Sequence, residues 1–297
     1  MSANEGYIKL DAGIRLFFKK TGNARNVVII PNGMYLFDEF QRYSESHTLI
    51  FYDVRNRGFS DPITEPSQLI GGVEQDVEDL ENVRKHFEMD KINLIGHSYI
   101  GLMVGLYAIR YQSSVNRVIQ IGPPQPDAGK QYPAHLTNAD NVSAEVFSRI
   151  AQMRKEKEPE DPVERCKNFW SVLQAIYVAD QKFANQFQLG RCELPNERNA
   201  MKYLNEYIFP SIQKVHLTAQ QLKDVQTPFL IIHGDKDRSS PYGGGREWSM
   251  ILPNARLLTI ENVAHIPWIE APEIVFPAIT DFLGGKWPAA AEKVKIT

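Results

Sequence analysis

The sequence has few cysteines and little net charge, and both features narrow the range of possible functions. Only two cysteines, Cys166 and Cys192, occur among 297 residues. Two are too few for a disulfide framework, so we expect two thiols rather than a disulfide. The formal net charge is -3, which leaves no basic field to attract nucleic acid or an anionic membrane surface. We therefore expect neither nucleic acid nor a membrane as a partner.

Long apolar runs are absent as well. No stretch approaches the roughly 20 apolar residues that a membrane-spanning helix requires. The first residues, Met1–Gly6, contain no basic region followed by an apolar run, so no signal peptide is predicted. We therefore expect a cytoplasmic protein. The polar last residues, 286–297, are expected to be loose, and the sequence carries no indication of an oligomeric state.

No motif for a metal or a cofactor is found. Several histidines are scattered without the spacing that metal ligands require. They are His47, His86, His135, His216 and His233. The run Gly243–Gly245 lacks the Lys-Ser or Lys-Thr pair that completes a phosphate-binding loop. We therefore expect the protein to work without a metal and without a cofactor.

Short β-branched runs alternate with helical patterns along most of the chain. The run Val27–Ile30 is typical of a strand buried on both faces, whereas residues 73–87 carry apolar side chains at helical spacing. A hairpin is predicted around Asp11–Gly13, further strands at 48–52, 91–95, 117–121, 229–232 and 256–260, and further helices at 99–111, 245–251 and 272–283. This alternation predicts an α/β fold with a mostly parallel sheet covered by helices on both faces.

One long block interrupts the alternation. It is charged, helical in pattern and rich in large aromatic side chains. We interpret it as a helical cap, residues 123–224, inserted into a core domain formed by residues 1–122 and 225–297. Most of its aromatic residues are expected to form the core of the cap, and some, such as Trp170 or Tyr177, are candidates to line an apolar pocket.

The motif Gly96-His97-Ser98-Tyr99-Ile100-Gly101 lies between a predicted strand and a predicted helix. A serine on such a sharp turn stands at the carboxyl edge of the sheet, where a substrate can reach its hydroxyl. Gly-His-Ser alone is also compatible with an ordinary turn, but its context predicts that Ser98 is a nucleophile. The usual pattern is Gly-x-Ser-x-Gly, and Ile100 stands where its second glycine belongs. A β-branched residue there is expected to push the helix outward or to require a small neighbour.

A serine nucleophile needs a general base, and the base needs a group that orients it. His265 follows the last predicted strand and can fold back over the sheet edge, so it is the predicted base. Two carboxylates compete for the orienting role in the stretch His233–Asp237. Asp235 is placed to cap the turn, and we favour Asp237, which lies deeper in the loop.

The oxyanion that forms during attack needs two N–H donors. The amide of Tyr99, directly after the predicted nucleophile, is one of them. The loop after the first central strand contains Gly33, which permits a turn and makes the Met34 amide the predicted second donor. An ordinary strand-to-helix turn is the alternative for this loop. The stretch Asp53–Ser60 is interpreted as structural, with an arginine held by carboxylates and a turn permitted by glycine.

From about Ile14 to Leu283 the chain resembles the α/β-hydrolase superfamily. Asn32–Tyr35 is similar to its His-Gly-x-Pro oxyanion motif, with Asn for His and Tyr for Pro. Asp53–Ser60 is similar to its Asp-x-Arg-x-x-Gly-x-Ser motif. The serine turn, the Gly-Asp-x-Asp motif and the run His265–Pro272 follow in the order of the family. The resemblance implies the α/β-hydrolase fold with an inserted helical cap, and a Ser-Asp-His triad made of the residues named above.

The resemblance also implies a reaction class. A serine hydrolase of this kind cleaves an ester or a related carbonyl in a small substrate with an apolar part, through an acyl-enzyme. Ser98 speaks against epoxide hydrolases and haloalkane dehalogenases, which use an aspartate nucleophile. A proline iminopeptidase-like aminopeptidase and a carbon–carbon bond hydrolase remain alternatives, although the oxyanion loop and the serine turn fit iminopeptidase patterns poorly. A non-catalytic binding protein on the same fold is a further alternative.

Overall fold

The computed structural model describes residues 4–157, 159–187 and 190–295. It begins with the predicted hairpin, in which β1 (Asn4–Lys9) and β2 (Arg15–Thr21) pair antiparallel. The chain reverses at Asp11–Gly13, where Gly13 has a φ of 80°. Glycine adopts this backbone conformation at little cost because it has no Cβ.

The runs predicted as buried strands are strands in the structure. They are β3 (Val27–Pro31), β4 (Thr48–Tyr52), β5 (Ile92–His97), β6 (Val115–Ile121), β7 (Phe229–Gly234) and β8 (Ala255–Ile260). Within the described residues they join β1 and β2 in one eight-stranded sheet with the order β1-β2-β4-β3-β5-β6-β7-β8. In this sheet the antiparallel pairings are those of β2 with β1 and with β4, and the pairings among β3 to β8 are parallel. The predicted mostly parallel sheet is confirmed.

Helices of the core cover both faces of this sheet, and further helices lie in the segment between β6 and β7. They are α1 (Gly33–Phe40), α2 (Val73–His86), α3 (Tyr99–Arg110), α4 (Asn141–Met153), α5 (Pro162–Leu173), α6 (Ala200–Tyr203), α7 (Phe209–Ile212), α8 (Ala219–Leu222), α9 (Tyr242–Ile251), α10 (Pro267–Glu270) and α11 (Pro272–Leu283). Alternate residues of β3 enter two different hydrophobic clusters, Val27 and Ile29 in one and Val28 and Ile30 in the other. None of the described helices is long and apolar enough to cross a membrane.

The strand order creates a switch point between β3 and β5. The chain passes from β3 to β4 on one side and later to β5 on the other side of β3. In open parallel sheets, ligands bind beyond the carboxyl ends of the strands that flank such a point. Here those ends lead into Asn32 and Ser98, so the fold places the predicted nucleophile at the expected edge.

Helices α4 to α8 lie between β6 and β7, and we call this segment, residues 123–224, the cap segment. It has a small hydrophobic cluster of its own, formed by Val146, Ile150, Leu173 and Ile176. Other apolar residues of the segment, such as Val178 and Ile208, pack into the clusters of the sheet. The cap segment therefore shares its core with the sheet, and its delimitation as a separate domain stays a prediction.

The prediction of two thiols is wrong, because Cys166 and Cys192 form a disulfide with an S–S distance of 2.06 Å. The two residues are 26 positions apart, and folding of the cap segment brings their Cα atoms to 5.7 Å, which their number and spacing could not show. A loop of this length makes the disulfide worth on the order of 3 to 4 kcal/mol in chain entropy. Disulfides are typical of oxidising compartments, and the cytoplasmic location stays a prediction.

The expectation of a loose tail is also wrong for the described part of it. Glu292 exchanges two backbone hydrogen bonds with Leu257 of β8, at 2.8 and 2.9 Å. Ala291 and Val294 are buried on either side of it. The tail therefore lies against the edge strand and protects it from pairing with another chain.

Candidate active site

Ser98 occupies a strained turn between β5 and α3. Its φ of 58° and ψ of -132° lie in a region that residues with a side chain rarely adopt. The Ser98 amide donates to the carbonyl of Ile121 at 2.9 Å, which fixes the turn against the neighbouring strand β6. The half-buried serine side chain lines a pocket above the sheet. The turn therefore has the form that the sequence predicts for a nucleophile.

The unusual Ile100 does not push α3 away from the sheet. Its side chain is fully buried in the main hydrophobic cluster. The close contact is made instead by Gly96, where a Cβ would lie 2.5 Å from the carbonyl oxygen of Ile100. Gly101 makes a second close approach, since a Cβ there would lie 3.1 Å from the carbonyl oxygen of Gly96. Gly96 is thus a small residue at the crossing of β5 and α3, and it meets the backbone of Ile100 rather than its side chain.

Asp237 and His265 come together although 28 positions separate them along the chain. Nδ1 of His265 lies 2.7 Å from Oδ2 of Asp237, and both side chains are 0% exposed. The other oxygen, Oδ1, accepts the amides of Ser239 and Ser240, each at 2.8 Å. Burial alone would raise the pKa of Asp237, but the charge of His265 and the hydrogen bonds of its neighbours hold that pKa below its ordinary value. Asp237 is therefore ionised and able to fix the tautomer of His265.

The competing carboxylate, Asp235, has a different task. Its Oδ1 accepts the amide of Asn262 at 2.6 Å, and Oδ2 lies 3.1 Å from Nζ of Lys236. These contacts close the turn after β8, as expected of a capping residue. The two aspartates therefore have different contacts, and the orienting role of Asp237 stays a prediction.

His233 was not predicted to belong to the site, yet its Nε2 lies 3.1 Å from the same oxygen of Asp237. It is fully buried at the end of β7. A carboxylate oxygen that accepts from two imidazoles is held more firmly than one that accepts from a single imidazole. The available signal was the position of His233 four residues before Asp237 in the same motif.

His97 is a second residue that sequence analysis left without a role. Its Nε2 donates to the carbonyl oxygen of His265 at 2.9 Å, and its ring packs on Trp268 with centroids 4.7 Å apart. Burial lowers the pKa of His97 well below its usual value, so the ring is neutral and carries its proton on Nε2. Trp268 itself is buried in the core rather than placed at the pocket rim. His97 therefore holds the loop that carries the predicted base.

The remaining nitrogen of His265, Nε2, has no hydrogen-bond partner among the described residues. A hydrogen bond between Ser98 and His265 is thus not formed in this conformation, although such bonds often tighten only when a substrate is bound. The ring of Tyr177 packs edge-on against His265 at 4.9 Å between centroids. The amide of His265 also donates to the carbonyl oxygen of Tyr177 at 3.0 Å. The cap segment therefore lies directly against the predicted base.

Gly122 lies directly against Asp237 and His265, and this close approach gives a first testable prediction. It has a φ of 53°, and a Cβ there would lie 2.9 Å from Nδ1 of His265 and 3.1 Å from Oδ2 of Asp237. We expect Gly122→Ala to lower kcat by about 100-fold, because displacement of reacting groups by about 1 Å costs that much. The backbone conformation adds a loss of roughly 1–2 kcal/mol in unfolding free energy. Steady-state kinetics and urea unfolding measure both effects.

Gly129→Ala is the matched control for this prediction. A Cβ at Gly129 would meet only Asp127 and His216, both at an ordinary 3.7 Å. We expect wild-type kcat and stability from this variant. A Gly122→Ala protein that loses stability but keeps its full kcat would show that Gly122 does not position the Asp237–His265 pair.

Of the two predicted oxyanion donors, only Tyr99 is free. As the first residue of α3, its amide has no acceptor within the helix. The Met34 amide instead donates to Oδ1 of Asp53 at 2.8 Å, so it is not available to an oxyanion. The cause is local, since α1 begins at Gly33 and its second amide, that of Met34, meets Asp53 directly after β4. The structure therefore contradicts the expectation for Met34.

The stretch Asp53–Ser60 is structural, as interpreted. Asp53 is buried, which raises the pKa of its carboxyl to about 6, and Oδ2 accepts the amide of Phe59 at 3.0 Å. Arg55 pairs with Asp79 at 2.5 Å. Gly58 has a φ of 53°, and a Cβ there would lie 2.1 Å from Oδ2 of Asp53, so the turn requires glycine.

The pocket above Ser98 has a volume of about 280 Å³. Its lining residues include Asn32, Tyr35, Arg57, His97, Ser98, Tyr99, Pro124, Trp170, Tyr177, Leu204, Phe209 and Ile212. Both aromatic candidates from the cap segment thus line it. Arg57 is the one lining residue of the described chain with a full charge, and two hydrogen bonds of 2.9 Å to Glu197 neutralise it. The described residues contain no group of three or more metal-ligating side chains.

Comparison with known proteins places this geometry in context. A model of the alpha/beta hydrolase fold family matches residues 27–272. A proline iminopeptidase from Saccharolobus solfataricus is 31% identical, over 95% of this chain and 93% of its own.

Solved structures give the same result for the fold. An esterase from Exiguobacterium antarcticum superposes with a TM-score of 0.71 at 17% identity, over 95% of this chain and 100% of the esterase. A meta-cleavage product hydrolase variant from Pseudomonas fluorescens has a TM-score of 0.69 at 16% identity, over 94% of this chain and 97% of its own.

Proposed function

The chain belongs to the α/β-hydrolase family, and from this membership we propose that it is a serine hydrolase that cleaves an ester, or a related carbonyl compound, through an acyl-enzyme. The observation that carries the proposal is the buried pair of Asp237 and His265, 2.7 Å apart. The pair lies behind His97 and Tyr177, which line the same pocket as Ser98.

The proposed reaction begins with attack of the Ser98 hydroxyl on the substrate carbonyl. His265 takes the hydroxyl proton on Nε2 and later delivers it to the leaving group. Asp237 holds the imidazole in the tautomer that leaves Nε2 free and stabilises the imidazolium that forms. The Tyr99 amide donates to the oxyanion. Water then attacks the acyl-enzyme by the same steps and releases the acid.

The lining of the pocket favours an uncharged substrate with an apolar part. Trp170, Leu204, Phe209 and Ile212 supply apolar side chains from the cap segment. The volume of about 280 Å³ is at the small end of ligand pockets. We therefore propose esters of short to medium acyl chains as substrates.

An aminopeptidase is the second candidate, because the 31% identical relative is a proline iminopeptidase. An aminopeptidase has to bind the charged amine of its substrate, which calls for a carboxylate near the scissile bond. None of the described residues that line the pocket is Asp or Glu. This lining supports the ester over the aminoacyl substrate.

The experiment that tests the proposal has two parts. The wild-type protein is treated with a fluorophosphonate, which reacts with activated serines, and the modified peptide is identified by mass spectrometry. We expect the label on Ser98. The same protein is then assayed with p-nitrophenyl esters of increasing chain length and with proline p-nitroanilide.

We expect the esters to be cleaved faster than the anilide. Absence of any label, or a label on another serine, would refute the proposed nucleophile. Faster cleavage of the proline anilide would favour the aminopeptidase instead.

A further inference from the structure

The side chain of Asn32 is buried without a partner at the pocket. It is 1% exposed, and neither Nδ2 nor Oδ1 has a hydrogen-bond partner among the described residues. A buried amide that makes no hydrogen bond is costly, and native structures rarely contain one without a reason. Asn32 lines the same pocket as Ser98 and Tyr99, so its free groups face a place where a substrate can bind.

The sheet brings Asn32 close to the serine turn. β3 and β5 are adjacent and parallel, with Val28 opposite Asn93 and Ile29 opposite Leu94. The same register extended to the strand ends sets Asn32 level with His97, one residue before Ser98. Asn32 has the left-handed backbone angles φ 59° and ψ 46°. This conformation lets α1 leave the sheet at once while the Asn32 side chain stays at the pocket.

Only one of the two predicted backbone donors of the site is free. The Tyr99 amide is available, but the Met34 amide is bound to Asp53. An asparagine side chain can take the place of a backbone amide in an oxyanion hole. We propose, on the basis of the proposed function, that Nδ2 of Asn32 is the second oxyanion donor of this protein.

The tyrosine hydroxyls next to Asn32 indicate where its NH₂ group lies. The Asn32 amide stands near the hydroxyls of Tyr35 and Tyr99: burial raises the pKa of both hydroxyls, and Asn32 opposes that rise. Both hydroxyls are therefore protonated and can donate. The Tyr99 hydroxyl has no acceptor of its own among the described residues. A neighbour that lowers the pKa of a hydroxyl donates to its oxygen, so one N–H of Nδ2 faces the tyrosine hydroxyls and the second N–H of Nδ2 is left for the oxyanion.

The test uses Asn32→Gly, because glycine tolerates the positive φ at this position while it removes the side-chain donor. We expect kcat toward the best p-nitrophenyl ester to fall by about 100- to 1000-fold, the usual cost of one oxyanion donor, with KM little changed. Affinity for an alkyl trifluoromethyl ketone, which forms a tetrahedral oxyanion with serine, should fall by a similar factor.

Two further variants separate catalysis from folding. Asn262→Gly changes an exposed asparagine with a φ of 58° and should retain wild-type kcat. Asn32→Asp preserves the shape of the side chain and replaces its donor with an acceptor, so it should lose at least as much kcat as Asn32→Gly. This variant keeps the test decisive if the glycine variant fails to fold.

The outcomes distinguish this inference from the proposed function. If the wild-type protein neither reacts with a fluorophosphonate nor cleaves the esters, both the proposed serine hydrolase activity and the proposed role of Asn32 are wrong. If the wild-type protein does both and the Asn32 variants keep their kcat, only the role of Asn32 is wrong. A rise in KM at constant kcat would likewise overturn it, because uniform binding of the substrate would then explain the residue.

Discussion

Replacement of Ser98 by alanine is expected to lower kcat by about a million-fold, as loss of the nucleophile does in other serine hydrolases. Alanine keeps the small volume at the strained turn but has no hydroxyl to attack the carbonyl. The fluorophosphonate label should disappear completely. A residual rate of roughly 10³ to 10⁴ over the uncatalysed reaction should remain from binding and oxyanion contacts. Ester hydrolysis and in-gel labelling measure these results.

The chain offers a matched control for this variant. The Ser46 hydroxyl lies 2.9 Å from Nδ1 of His47, so Ser46 also has an imidazole neighbour. The serine is exposed on a short loop before β4 and does not line the pocket of Ser98. Ser46→Ala should therefore keep the full activity and the full label. A Ser98→Ala protein that still labels at the wild-type rate would show that the nucleophile lies elsewhere.

Replacement of Asp237 by asparagine is expected to lower kcat by about 10⁴-fold, the cost seen when a triad carboxylate becomes an amide. The amides of Ser239 and Ser240 select the oxygen of the new side chain, so its NH₂ group faces Nδ1 of His265. His265 can avoid a clash of two donors by moving its proton to Nε2. An imidazole protonated at Nε2 cannot accept the Ser98 proton, and the base is lost.

Asp235→Asn is the control, because Asp235 only closes a turn with Asn262, and we expect it to stay within a few-fold of wild type. A large loss of kcat in Asp235→Asn together with near-wild-type kcat in Asp237→Asn would assign the orienting role to Asp235.

Because the pKa of Asp237 is lower in the folded protein than in the unfolded chain, its contribution to stability is present above about pH 4 and lost below it. The stability difference between wild type and Asp237→Asn should therefore narrow in acid, which separates folding from the loss of kcat at neutral pH.

The parts of the site that follow a strand directly were predictable from the sequence. Ser98, Asp237 and His265 each follow a strand of a parallel sheet, and the carboxyl ends of such strands meet at one edge. The β-branched runs identify the strands because burial on both faces leaves them continuously apolar. Periodicity was therefore sufficient for the sheet, whereas the choice of these three residues also needed the family resemblance, and their catalytic roles stay a prediction.

Features that depend on contacts across the fold were not predictable. The commitment of the Met34 amide to Asp53 depends on where α1 begins, and the boundaries of helices are poorly encoded in local sequence. The disulfide depends on the packing of the cap segment, which brings Cys166 to Cys192. His233 acts through a bond to a side chain four residues away, and no spacing rule distinguishes that bond from an ordinary buried histidine.

The hydrogen bond from the His265 amide to the Tyr177 carbonyl links the cover of the pocket to the loop that carries the base. If the cap segment lifts, that amide loses its acceptor and the imidazole loses the ring that packs on it. In an open conformation, which a bulky substrate would need to enter, His265 is held less tightly. In the closed conformation, the contacts with Tyr177 hold His265 in place. Opening and chemistry would then be consecutive events, and each turnover of such a substrate would include the time that the segment needs to move.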